Sequence, residues 1–278
     1  MPLAATDTRY LFRPLCGDIV DLLGTLRPDD WQRRTVAGNW LVRDVVAHLL
    51  DTALRRLSFH RDGWMPPPEP EASPARDLTG FINSLNATWV RAAERLSPRV
   101  LTDLYARAGT ELADFMESLD LDRAAAFPVS WAGHTSSPQS LDIGREFTEV
   151  WHHGAQIRDA VGAGPFPDAG WLRAVLQIAM HALPQSYRDV PAPPGLSIAI
   201  RIIGHASGTW TLQHRGGRWD IDEGEPTAPP ATTATMSDEV AWRLFFNALP
   251  PARAESLVDV NGDAALARPL LHARSVIV

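Results

Sequence analysis

The chain has 278 residues, 45% hydrophobic and 21% charged, enough for one large domain or two modest ones with a proper core. Its net charge of −7 offers no attraction to phosphate backbones, which argues against nucleic acid as a partner. No lysine occurs among the 26 basic residues, which excludes Schiff-base and phosphate-loop lysine chemistry, and the single cysteine, Cys16, excludes an internal disulfide framework or a thiolate zinc cluster.

In chain order, Cys16 sits among Leu15, Ile19 and Val20, where a small core residue is expected, in a helix over 14–26 with Pro14 in its first turn. The N-terminus has no basic region followed by an unbroken apolar core, and no apolar run is long enough to span a membrane, so no membrane partner and a cytoplasmic address are expected. A second amphipathic helix, 41–59, places Leu41, Val45, His48, Leu49 and Thr52 on one face. Residues 65–70, Met-Pro-Pro-Pro-Glu-Pro, require an irregular loop. Helices near 77–96 and 98–119 follow, split at Ser97-Pro98, and a loop over 130–139 leads into a helix that ends near Gly162. One more amphipathic helix spans about 168–187.

Composition changes at 190–195, Val-Pro-Ala-Pro-Pro-Gly, which reads as a join between two domains, 1–190 and 195–278, with a metal site facing their cleft. Beyond it strands are expected at 196–203 and 209–214, then a Gly216-Gly217 hairpin into 218–221. A helix opens at Ser237 and buries Val240, Trp242, Leu244 and Phe245. Segments 256–260, 264–271 and 275–278 finish an α+β chain whose first part is helical.

Chemistry concentrates in Arg145-Glu-Phe-Thr-Glu149-Val-Trp-His152-His153-Gly-Ala-Gln156. Glu149 and His153, four apart, rise from one helical face, and Arg145 and Gln156 share that sector beside an apolar stripe of Ile143, Val150, Ile157 and Val161. With His48 from the other amphipathic helix, the set is two imidazoles and a carboxylate, the donors of a catalytic zinc with one position open. The plainer reading is a surface pairing of Glu149 with His153 or Arg145, and a hydrogen-bonded core histidine at His48. His152, three from Glu149, points elsewhere. No His-Glu-x-x-His, Gly-x-Ser-x-Gly or phosphate loop is present.

The pattern Leu26 … Asp30-Trp31 … Gly38-Asn-Trp40-Leu-Val-Arg-Asp44-Val-Val-Ala-His48-Leu-Leu-Asp51, then Arg145-x-x-x-Glu149-x-x-x-His153, resembles the mycothiol-dependent maleylpyruvate isomerase family of the DinB-like metal-binding superfamily, over roughly residues 9–162. The resemblance implies a four-helix bundle holding a divalent metal, usually zinc, on His48, Glu149 and His153, with Arg145, His152 and Gln156 around them. Many relatives carry an aspartate where this chain has Gln156. The C-terminal part resembles a sterol-carrier-like α+β domain, in which Arg274 is the nearest match to an arginine that binds substrate carboxylates. The implied activity uses a low-molecular-weight thiol such as mycothiol, activated on the metal, to isomerise a small electrophilic, acidic substrate by addition to and elimination from a cis double bond, or to transfer the thiol to it. Cys16 is needed for neither. The competing reading is a non-enzymatic binding protein that holds a small apolar ligand in the C-terminal domain or the cleft.

Overall fold

A computed structural model describes residues 3–64 and 78–276; the proline-rich loop expected at 65–70 and the end of segment 275–278 lie outside them. The chain forms two compact units interleaved in sequence: Thr8–Asp120 with Glu149–Pro165, and Met1–Asp7 with Leu121–Thr148 and Phe166–Val278.

The first of these is helical. In α1 (Phe12–Thr25), Phe12, Leu15, Cys16, Ile19 and Leu23 are buried, a stripe that keeps one face inward through three turns. In α4 (Pro98–Glu117) the buried stripe is Leu101, Tyr105, Ala108, Gly109, Leu112, Ala113 and Met116. Ser97 caps its start by accepting from Val100 N–H at 3.3 Å, with Pro98 in the first turn. Gly109 allows a close approach, since a Cβ there would lie 3.2 Å from the Cβ of Cys16. α2 (Val42–Arg56) packs on α4 and on α3 (Leu78–Ala93), and ends in a π-helical turn, Leu57–Arg61. α5 (Gln139–Val161) brings its Glu149–Val161 half into this unit and is tied to α1 by a half-buried ion pair, Arg158 Nη1 to Asp18 Oδ1 at 2.6 Å.

The second unit is built on a five-stranded sheet of order β3-β2-β1-β4-β5, with β1 Ser197–Ile203, β2 Gly208–Arg215, β3 Arg218–Glu223, β4 Thr232–Ser237 and β5 Asp259–Gly262. The expected hairpin is present: Gly216 and Gly217 both take positive φ, which a tight turn between right-twisted strands demands. β1 and β4 are parallel, and every other pairing is antiparallel. β4 has no counterpart among the sequence expectations. Its Thr-Thr-Ala-Thr-Met-Ser run is poor in large apolar residues, yet Thr232, Ala234 and Met236 alternate inward as a strand requires.

The single helix expected over 168–187 is instead α6 (Ala169–Ala179), a 3-10 turn and the short α7 (Leu183–Ser186), with Pro184 at the restart, where a missing N–H breaks the ladder. α6 packs on α8 (Asp238–Phe245) and α7 on β3, while α8 and α10 (Ala264–Leu271) cover β4; α9 (Pro251–Ala254) lies between them in sequence. Tyr187 donates to Leu266 O at 2.6 Å and Trp219 to Val190 O at 3.0 Å, so residues 188–195 run within this unit. Val240 is only partly buried. The inward position of that first turn goes to Asp238, which accepts from Ala206 N–H at 2.9 Å.

Candidate metal centre

Trp40, His48, Glu149 and His153 come from three segments of the helical unit. Asp44 accepts from the Leu41 N–H at 3.0 Å and so caps α2. This fixes where the helix starts and places His48 on its inner face, only 4% exposed. Ahead of it, the turn from Thr35 to Trp40 is closed by Thr35 N–H to Trp40 O at 3.0 Å and by the Thr35 hydroxyl to the same carbonyl at 2.9 Å. Gly38 supplies the left-handed conformation that the turn needs (φ +58°). Trp40 is thereby laid over the two imidazoles, its ring centroid 5.0 Å from that of His48 and 6.2 Å from that of His153.

α5 presents Glu149 and His153 one turn apart, as their spacing requires. The Glu149 Oε1 atom lies 3.1 Å from His48 Nε2 and 3.3 Å from His153 Nε2. One ligand atom from each of the three residues falls within 4.8 Å of the others. Donors on a tetrahedron of zinc bonds stand about 3.4 Å apart, so the two measured edges suit such an ion with little movement. Among the described residues no other group of three histidine, cysteine or acidic side chains converges this way.

Electrostatics fit a cation as well. Burial works to raise the Glu149 pKa, but the His153 and His48 rings beside it outweigh that effect and hold the carboxyl well below its ordinary value. Burial likewise pushes His48 below its usual value, against the raising effect of Glu149, so a neutral imidazole faces an ionised carboxylate. Glu149 keeps 31% of its side chain exposed while both histidines are under 10%, which leaves the carboxylate edge as the open side. A partly buried carboxylate flanked by two imidazole nitrogens is a donor set that a divalent cation completes.

The other sequence candidates are placed around or away from this point. Gln156 Oε1 lies 2.8 Å from His153 Nδ1. His152 stacks on His153 at 4.0 Å between centroids, with Nδ1 4.0 Å from Glu149 Oε2. Arg145 pairs with Asp142 at 2.6 Å, a neighbouring carboxylate rather than Glu149. Arg274, in the sheet-bearing unit, donates to Asn247 Oδ1 at 3.2 Å and to the Ala273 and Leu271 carbonyls. Cys16 is buried against Tyr105, whose hydroxyl lies 3.8 Å from its sulfur. Trp40 was read only as part of a sequence pattern, and nothing in the sequence marks it as a wall of the site. The nearby Gly38-Asn39, a turn signal just before a helix, is the only hint.

No curated protein matches this chain. Among solved structures it is similar to the mycothiol-dependent maleylpyruvate isomerase, with 15% identity, 95% of each chain covered and a TM-score of 0.54. A histidine-to-alanine mutant of that enzyme matches at 14% identity with the same coverage and TM-score. The sterol carrier protein domain 2 of Helicoverpa armigera covers 37% of this chain and 78% of its own at 20% identity, with a TM-score of 0.24, too low to carry an argument. Likeness at such identities shows the fold. The sequence model of the mycothiol maleylpyruvate isomerase N-terminal domain goes further: it matches residues 12–158, more than half the chain and including all three converging side chains, and this protein belongs to that family.

Proposed function

We propose that this protein is a metal-dependent enzyme that uses a low-molecular-weight thiol, mycothiol or a close analogue, to isomerise a small, electrophilic, acidic substrate or to transfer the thiol to it. The observation that carries this reading is the convergence of His48, Glu149 and His153 within the segment that matches the family. They are the proposed metal ligands. A divalent cation held there, zinc in our reading, supplies a Lewis acid that favours the thiolate form of a bound thiol near neutral pH. Glu149 brings the one negative charge, and the imidazoles bring neutral donors. Trp40 shields one side of both rings from water. Arg274 is proposed as a contact for a substrate carboxylate. Its Nε and Nη1 are engaged locally, while Nη2 has no partner among the described residues.

The test has two arms. Elemental analysis of the purified protein is expected to give roughly one zinc per chain, as a three-ligand site predicts. Incubation with mycothiol and maleylpyruvate is expected to give trans product or a thiol adduct only when both thiol and metal are present. Stoichiometric metal with neither product would sink the catalytic reading. No metal, with stability unchanged in chelator, would favour a binding protein instead. Arg274→Ala is expected to raise KM for an acidic substrate about tenfold or more while leaving metal content intact.

A further inference from the structure

The two histidines are alike in the metal reading, but their far nitrogens are not alike. His153 Nδ1 meets the amide oxygen of Gln156 at 2.8 Å, and both side chains are buried. His48 Nδ1 is buried with no hydrogen-bond partner among the described residues. An amide oxygen only accepts, so the proton of a neutral His153 ring sits on Nδ1 and its lone pair sits on Nε2, 3.3 Å from Glu149 Oε1. His48 has no such partner on Nδ1, and the carboxylate oxygen 3.1 Å from its Nε2 draws the ring proton to that nitrogen.

We propose that Gln156 is a positioning residue that presets His153 as a metal ligand before any cation arrives, whereas His48 becomes one only by moving its proton from Nε2 to an unpartnered Nδ1. This rests on the metal reading above. It also gives a neutral amide a task usually given to a carboxylate: orientation of the ring without an added negative charge. If Gln156 merely filled core volume, an apolar residue of similar size would serve as well.

The experiment uses ¹⁵N-labelled full-length protein and imidazole ¹⁵N–¹H correlation spectra at mildly alkaline pH, without and with zinc. Zinc-free wild type is expected to show His153 protonated on Nδ1 and His48 on Nε2, and zinc is expected to switch His48 alone. Gln156→Leu is expected to lose the fixed His153 tautomer and to raise the zinc Kd by about tenfold or more in chelator competition. Gln156→Glu is expected to keep the tautomer and to bind zinc at least as tightly as wild type. His153 protonated on Nε2 in the zinc-free wild type would overturn the proposal, and needs no variant to fold. So would a leucine variant with wild-type tautomer and wild-type Kd. A wild type that binds no zinc yet shows the expected His153 tautomer, lost in Gln156→Leu, would refute the metal reading and leave the role of Gln156 standing.

Discussion

Burial decides the chemistry at Cys16. Taken out of water, its thiol is pushed up to about 11, the hydrogen bond from Tyr105 offsetting only part of the effect. At pH 8 only about one thiol in a thousand is then ionised. Cys16 in the native protein is therefore expected to react with a thiol reagent only at the rate of unfolding, and Cys16→Ser to leave turnover within about twofold of wild type. Loss of activity in that variant with metal still bound would place the nucleophile inside the chain. His153→Ala is the opposite case. It removes one of three donors, and elemental analysis is expected to show metal content falling by well over half; equal content in variant and wild type would refute the ligand assignment. Much of this site was legible in the sequence because a Glu-x-x-x-His pair has a fixed geometry on any helix. Trp40 was not, because a side chain held by a turn has no periodicity to betray it.

At the scale of the element, helical stripes read well and the sheet read less well. α1 and α4 follow the apolar period, and their buried residues are the ones that period selects. α5 departs from the simple picture of a polar sector bordering an apolar stripe: Glu146, Thr148, His152 and Gln156 are buried alongside Phe147 and Trp151. A helix enclosed on most sides cannot be recognised from one stripe, since its polar residues are satisfied by neighbours the sequence does not name. β4 was missed for the related reason that threonine carries strand preference without much hydrophobicity. At the β4–β5 edge Gly262 has φ +108°, and a Cβ there would lie 2.3 Å from Ala231 O. Gly262→Ala is expected to destabilise by about 2 kcal/mol or more, because both the backbone conformation and the neighbouring carbonyl resist a side chain. Thermal denaturation with an unchanged midpoint would count against that packing.

For the whole molecule, acid stability carries a signature of its own. Burial lowers the His181 pKa from 6.5 to about 4, with His134 adding repulsion, so the fold holds this ring neutral. The unfolded chain takes up the proton that the folded chain refuses. Stability from this group is thus complete above about pH 6.5 and drains away as pH falls toward 4, by up to about 3 kcal/mol. His181→Gln is expected to flatten that limb in denaturant titrations at several pH values; an unaltered limb would assign the acid loss to other groups. Interleaving also sets an order of events on the ribosome. His48 emerges some hundred residues before Glu149, and the stretch between Asp120 and Glu149 belongs to the other unit. The nascent helices must wait, incomplete, until α5 is made, and no single cut in the gene yields either unit whole.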